Sequence, residues 1–430
     1  MSFLSLLGLD RRELRAWAMY DWANSVFMTI VILVFPIYFA DVAAAGLPSA
    51  VASARFAAAT TFSMLIVALL SPFLGAAADF AAMKKKMLAA CLLLGVVATG
   101  GLYFVGRGDW KLGALLFILG NMGVTSSIVF YESLLPHIAR QEEVDRVSSA
   151  GYAIGYVGGG LLLALSLLMI KRPAWFGIPN GEMAMRLSFL AAALWWLLFS
   201  IPLFRRVPEP PVPPELRRKP GENLLRVSVV RLGQTLREVK QYKQTLLFLI
   251  AFFIYNDGIG TIIRMASIYG TEIGIERGFL IGALLLVQVV GVPFSFLFGT
   301  LAGKIGAKRA IFVALAVYFG ISVFGYSMKT PRDFLIMAIL VGTVQGGSQA
   351  LSRSLFTTMI PKHKSSEFFA FFSVFEKFAG ILGPAVFSLV ITATGSSRGA
   401  ILSLIFFFFA GGLLLALVNV EKGQQAAREA

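Results

Sequence analysis

The sequence predicts an all-α polytopic membrane protein, with twelve transmembrane helices in two pseudo-symmetric six-helix bundles. Three observations carry that expectation. Apolar runs recur along the whole 430-residue chain, and a spanning helix needs about 20 mostly apolar residues. The composition is 57% hydrophobic and 14% charged, with a mean hydropathy of +0.79, whereas a soluble domain carries about 25% charged residues. Short motifs of the first half also return in the second at a nearly fixed spacing. A soluble core cannot hide this much apolar surface, so a soluble enzyme is excluded.

Taken in order, the runs place spans near 16–40, 56–78, 87–105, 112–135, 148–170, 184–204, 245–270, 278–301, 310–328, 333–360, 367–394 and 398–419. They are too long for barrel strands and do not alternate polar with apolar residues. The first fifteen residues carry Asp10, Arg11, Arg12, Glu13 and Arg15. They do not resemble a cleavable leader, so the first span is expected to stay as an anchor. With both termini cytoplasmic, the inner segments hold 25 Lys and Arg and the outer loops 8, which is the bias that fixes orientation. The densest block, 205–244, has ten basic and four acidic residues and divides an N-terminal bundle, 1–204, from a C-terminal bundle, 245–430. It opens with Pro208, Pro210, Pro211, Pro213 and Pro214 and then spaces Leu225, Val229, Leu232, Leu236 and Val239 as one helical face. That spacing predicts an amphipathic helix on the inner membrane surface or a solvated linker helix. The net charge of +15 is read as inner loops and not as a nucleic-acid surface.

The halves repeat. Gly75 and Asp79 with Lys84 and Lys85 return as Gly299 and Gly303 with Lys308 and Arg309, 224 positions on. Gly155 and Gly158 return as Gly380 and Gly383, and Pro136-His137 as Pro361 and His363. Tyr20-Asp21 has a counterpart in Tyr255-Asn256-Asp257. Agreement across several helices points to a duplication. Asp79 with Lys84, Lys85 and Lys86 is expected to lock an inner gate, since an acid at a helix end and a basic cluster can hold two helices closed. Lys308 and Arg309 form the second copy, in which Gly303 stands where the first has Asp79.

The Gly75-to-Lys86 stretch resembles the signature between helices two and three of the major facilitator superfamily. Tyr20-Asp21-Trp22-Ala23-Asn24-Ser25, Tyr255-Asn256-Asp257-Gly258, Gly151-Tyr152-Ala153-Ile154-Gly155-Tyr156 and Ala350-Leu351-Ser352-Arg353-Ser354-Leu355 are similar to its vacuole-effluxer branch. That branch holds the autophagy-related vacuolar amino-acid effluxers and their bacterial relatives. The resemblance implies a secondary transporter whose first, fourth, seventh and tenth helices surround the central path.

Each of those four helices carries a charge inside its span. Such groups cost about 2.5–3.5 kcal/mol or more near a helix centre, and they face a cavity or pair with one another. The residues are Asp21, Glu132, Asp257 with Arg264, and Arg353; Glu376 and Lys377 add a pair in the eleventh span. Two layers are expected. Asp257 lies near the midplane, with Asn256, and the neighbouring Gly258 and Gly260 are expected to loosen the seventh helix and free carbonyls for a ligand. Arg264 follows two turns later on the same face. Asp21, Glu132 and Arg353 form an inner layer, in which an acid of one half pairing with Arg353 of the other closes a gate. Simple pairing within one bundle is the alternative. Asn24 is a further polar candidate, and Gln345, Gln349 and Arg353 make a polar stripe on the tenth helix. Tyr20, Trp22, Tyr131, Tyr156 and Tyr255 could shape the pocket or anchor span ends. Adjacent Glu376 and Lys377 diverge by about 100° and need not pair.

The expected activity is alternating-access transport of a small polar solute such as an amino acid, coupled to protons or another ion. The bilayer and the solute are the partners. The protein is expected to act as a monomer in a bacterial inner membrane. Uncoupled facilitation is the near alternative; a polytopic membrane enzyme or a non-transporting scaffold is the distant one. A single cysteine, Cys91, and two histidines argue against a disulfide, a metal site or a catalytic cluster. No glycine loop with a phosphate-binding lysine occurs, so no nucleotide and no other cofactor is expected.

Overall fold

A computed structural model describes residues 7–212, 230, 233, 241–272, 275–380, 382–394 and 397–429. It contains twelve helices long and apolar enough to cross a membrane. The N-terminal six are α1 (Arg12–Ala43), α2 (Ser49–Ala81), α3 (Lys84–Phe104), α4 (Trp110–Ile138), α5 (Val144–Lys171) and α6 (Gly181–Arg206). The C-terminal six are α7 (Lys243–Glu272), α8 (Arg277–Ile305), α9 (Ala307–Ser327), α10 (Pro331–Thr358), α11 in two pieces (Ser365–Phe378 and Leu382–Thr394), and α12 (Arg398–Leu417). A short α13 (Val420–Arg428) ends the described chain. The amphipathic segment expected around Leu225–Val239 lies outside the described residues.

Two apolar cores follow the two halves. One gathers Trp17, Phe27, Phe35, Phe117, Phe189 and Trp196; the other gathers Phe248, Phe252, Tyr318, Phe356, Phe372 and Phe408. Large apolar side chains such as Leu69, Val97, Leu198, Val289 and Phe406 point outward, as a protein solvated by lipid tails requires. Glycines let helices approach closely. The Cβ of an alanine at Gly123 would strike the backbone of Gly95, and one at Gly95 the ring of Trp196.

The two ends of the described chain share one face. Arg11 donates to Ile138 O at 2.9 Å and contacts Glu143, while Arg428 of α13 contacts Gln141 in the same α4–α5 connection. At this terminal face α2 packs on α11 and α5 packs on α8, each pair joining one half to the other.

The expected loosening of the seventh helix does not occur; α7 is continuous from Lys243 to Glu272. Gly258 is there for close packing, because a Cβ would press on Phe407 and Phe408. The interruption falls opposite, in α11. Its first piece, α11a, is Ser365–Phe378 and its second, α11b, is Leu382–Thr394. Asp257 and Arg264 of α7 hold the two ends of this break.

Candidate functional site

The site is built in three layers, starting at the terminal face. Asp79 ends α2 and pairs with Lys84 at 2.5 Å, both side chains at most 4% exposed. Its Oδ1 accepts the N–H of Ser366 at 3.1 Å and its Oδ2 that of Glu367 at 2.9 Å. An acid of one half thereby caps the N-terminus of α11a in the other, where free N–H groups and the helix dipole favour a carboxylate. Lys84 Nζ also donates to Ser365 Oγ at 2.6 Å, and Ser365 Oγ donates to Ser133 O at 2.9 Å. His137 Nε2 lies 3.2 Å from the same hydroxyl. Gly75 is required here, because a Cβ would meet Ser366 O at 2.6 Å.

The basic residues of this loop divide their work. Lys85 Nζ donates to Phe204 O and Val207 O at 2.9 and 2.6 Å, closing the end of α6. The N–H groups of Lys84 and Lys85 donate to Glu209 at 2.8 and 2.9 Å. Burial pushes the Glu209 carboxyl above its usual range, against the pull of those hydrogen bonds. Lys86 is exposed. In the second copy Lys308 Nζ closes α12 in the same way, on Ala416 O and Val418 O at 2.8 and 2.7 Å, and Arg309 is exposed. Gly303 faces the Arg146 side chain and Gly299 faces Ser149, so this copy makes its inter-half contact by packing.

Deeper lies Arg353 of α10, 2% exposed at its side chain. Its Nη2 pairs with Asp21 Oδ2 of α1 at 3.2 Å and its Nη1 with Glu132 Oε1 of α4 at 3.7 Å. Nε and Nη2 donate to Oγ and O of Ser148, each at 2.9 Å. The guanidinium carbon sits 4.5 Å from the ring centre of Tyr152 and 4.8 Å from that of Trp17, a desolvated cation–π cage. Tyr131 OH donates to Asp21 Oδ2 at 2.8 Å, and Trp17 Nε1 holds Tyr131 O at 3.0 Å. Gly151 leaves the room: a Cβ there would strike Asp21 Oδ2 and press on Arg353. Every partner of Arg353 named here belongs to the other half. Ser148 Oγ donates to Ala350 O at 2.7 Å and Ser354 Oγ to Asp145 at 2.5 Å, extending the seam between α5 and α10.

The third layer is at the α11 break. Asp257 is fully buried. Its Oδ2 accepts the N–H of Gly383, in the first turn of α11b, at 2.9 Å. Its Oδ1 has no hydrogen-bond partner among the described residues. Thr261 Oγ1 donates to Asp257 O at 2.7 Å. Arg264 Nη1 donates to Gly380 O, just past α11a, at 2.8 Å. Gly380 and Gly383 admit these side chains; a Cβ at the first would strike Arg264 and at the second Thr261.

The remaining polar candidates are dispersed, whereas Glu376 and Lys377 lie within electrostatic reach of Glu132. Asn24 is buried and its Nδ2 lacks a partner among the described residues. Asn256 is buried. Gln349 is half-buried, and Gln345 lines a small cavity of about 50 Å³ whose other walls are apolar. Glu376 and Lys377 do approach, with Nζ 3.7 Å from Oε2; flexible side chains overcome the 100° separation of their Cα positions. Sequence reasoning missed Trp17, Ser148, Ser365 and Ser366. Ordinary serines and a tryptophan at a span end carry no signal of their own, although Gly75 and Gly151, which make room for their partners, lie inside the quoted motifs.

Residues 42–428 match the family model described as vacuole effluxer Atg22 like. The chain belongs to this family. The chain is 36% identical over 421 residues to the uncharacterized MFS-type transporter YxiO of Bacillus subtilis, covering 97% of each chain. It is 25% identical to autophagy-related protein 22 of Coccidioides immitis, covering 88% of this chain and 74% of that one. In fold it is similar to the transporter FucP in its outward conformation (TM-score 0.71, 12% identity, 95% of this chain and 100% of that one). It is also similar to the proton:xylose symporter XylE (TM-score 0.68, 15% identity, 97% and 96%). This Atg22-like chain is therefore a multi-pass membrane transporter of the major facilitator superfamily, and its relatives are named as transporters, not enzymes.

Proposed function

We propose that this Atg22-like protein is an alternating-access secondary transporter for a small polar solute of the amino-acid class, driven by protons. The terminal face is the cytoplasmic one, the membrane is a bacterial inner membrane and the working unit is a monomer. The observation that carries the reading is the buried ion cluster between halves, Arg353 with Asp21 and Glu132. Here the cation and the acids come from opposite bundles, at the seam that must part when the path opens to the cytoplasm. Two carboxylates face one guanidinium, so one bound proton neutralises the cluster. Neutralisation removes a charge that holds the halves together, which gives the proton a different affinity in the two access states, as coupling requires.

The amino-acid class is supported by Asp257 and Arg264, an acid and a base on one face of α7 that each hold backbone instead of each other. A zwitterion could take both, its ammonium on the acid and its carboxylate on the guanidinium. Uncoupled facilitation is the competing outcome. The deciding experiment is reconstitution in liposomes with an imposed proton gradient and a panel of amino acids, peptides and small organic ions. A solute-dependent current that reverses with the gradient is expected. Arg353→Ala and Asp257→Asn variants that both transport at the parental rate would overturn the reading.

A further inference from the structure

We infer that the terminal face carries an anion site between the two halves, where Arg140, Lys362 and Arg428 receive a phosphate group. The site shares no side chain with the Asp79–Lys84 latch. It stands apart from the transporter reading; only its effect on access rests on that reading.

The three cations come from three elements. Arg140 lies in the α4–α5 connection, Lys362 in the α10–α11 connection and Arg428 in the last turn of α13. All three line one cavity of about 290 Å³, at the lower end of the roughly 300–1,000 Å³ range of small-molecule pockets. Among the described residues no Asp or Glu lines it, and none of the three cations has an ion pair. Glu143, close by in sequence, is committed elsewhere: it pairs with Arg11 and accepts the N–H of Arg140 at 2.7 Å. The adjoining cavity, about 730 Å³, is balanced instead, with Asp145 and Glu421 beside Lys308 and Arg309.

The free side-chain capacity of the smaller cavity is for donation. Arginine and lysine have no acceptor. Gln141 gives its Oε1 to Arg428, which leaves its NH₂ to donate. The hydroxyls of Thr357 and Thr358 are turned to Arg353 O and Leu355 O at 2.7 and 2.8 Å. Cations also gather at helix C-termini for the dipole alone, so the charges must be weighed. The ends of α4, α10 and α13 border this cavity. Each C-terminus carries about −0.5 charge, roughly −1.5 together, against the three positive side chains. The surplus of roughly +1.5 suits a phosphate monoester, about −1.5 to −2 at neutral pH, and an arginine fork binds such a group by two parallel hydrogen bonds. Val144 and Ile360, both buried, give the carbon portion of the ligand an apolar wall.

Arg140 belongs to one half and the other two cations to the other. A phosphate held by all three bridges the halves, and their parting would pull the cations away from it. The anion therefore binds the state closed at this face more tightly and shifts the population toward it. Two sources carry the group, a soluble phosphate ester and an anionic phospholipid headgroup, and the test separates them.

The full chain is placed in phosphatidylcholine nanodiscs and its melting temperature is followed against inorganic phosphate, with chloride at matched ionic strength as the blank. Phosphate should raise the melting temperature and saturate. Arg140→Ala, Lys362→Ala and Arg428→Ala should each raise the half-saturating concentration roughly tenfold. These side chains are exposed, so the variants should melt near the parent in chloride, and any one that fails to fold leaves two. Lys86→Ala, an exposed cation outside the cavity, should leave the response unchanged. A second arm uses nanodiscs containing phosphatidylglycerol and no phosphate. A response to phosphate supports a soluble ester; a response to phosphatidylglycerol alone supports a lipid headgroup. Silence in both arms overturns the inference, as does a response that the triple alanine variant keeps, because general surface charge would then explain it. Phosphate should also slow maleimide labelling of Ala370→Cys in a Cys91→Ser background, and an unchanged rate overturns the bridge between halves. Failure to move any solute in liposomes would sink the transporter reading and leave the binding midpoints unaffected.

Discussion

Asp21 on α1 and Asp257 on α7 occupy related places in the duplicated halves, and the two surroundings solve the problem of a buried acid in opposite ways. Asp21 faces Gly151 and Gly155 of α5, which runs unbroken from Val144 to Lys171. With no backbone N–H freed on that side, its carboxylate is met by Tyr131 and by Arg353 of the other half. Asp257 faces Gly383 of α11, just past the turn that holds Gly380, and takes the N–H there. The first acid bonds across the seam; the second bonds inside its own bundle, its Oδ1 without a hydrogen-bond partner among the described residues. The same contrast recurs at the loops, where Asp79 reaches across to α11a and Gly303 only packs against Arg146. Duplication supplied equivalent scaffolds, and single residue differences made one side of each pair ionic and the other not.

The strongest way to break the comparison is Arg353→Ala. It strands two buried acids, and removing one partner of a buried pair costs about 3–5 kcal/mol. Transport should be lost and the detergent-solubilised protein should melt earlier. The triple change Asp21→Asn, Glu132→Gln and Arg353→Met should recover most of the melting temperature without recovering transport; recovery of both would remove the cluster from the mechanism. Next comes Asp79→Ala, which leaves Lys84 buried without its acid and costs about 1–3 kcal/mol for the lost charged hydrogen bonds. Maleimide labelling of a cysteine at Ala370, buried on α11a, should accelerate in this variant, and an unchanged labelling rate would discount the latch.

The third experiment sharpens the symmetry. Gly303→Asp puts an acid beside the exposed Arg146, giving the second copy an ionic contact between the halves. An exposed pair contributes at most about 1 kcal/mol, so slower labelling and a modest fall in transport rate are expected, and both should fade at high salt. The smallest effect concerns Glu209. Its folded carboxyl is raised above the ordinary value by burial, so the folded state holds the proton more tightly than the unfolded one. Stability is then greatest below the ordinary glutamate range and falls as pH rises through the raised folded value. Glu209→Gln should flatten that part of the melting-temperature profile and change little else.

Much of the fold was legible because the bilayer imposes simple rules. Spanning length and apolar composition gave twelve helices, and the spaced glycines and lysines gave the duplication. The charged residues of α1, α4, α7 and α10 were legible as candidates, since a charge in a span is too costly to be casual. Their partners were not. Nothing in the spelling of Ser148, Ser365 or Ser366 distinguishes them from the other buried serines. Gly258 and Gly260 pointed to the wrong helix. Glycine marks where a backbone can yield or be approached, and which of the two occurs depends on what stands opposite. Phe407 and Phe408 stand where a side chain on Gly258 would go, and α7 is continuous there, whereas Asp257 and Arg264 bind backbone groups on either side of the turn in α11. The sequence by itself determined the solvent of this protein, the number of its spans and its two-fold plan, because those follow from hydropathy and spacing along the chain. Only the tertiary structure decided which acid meets which base and which helix breaks, because those depend on contacts such as Asp21 with Arg353, 332 positions apart.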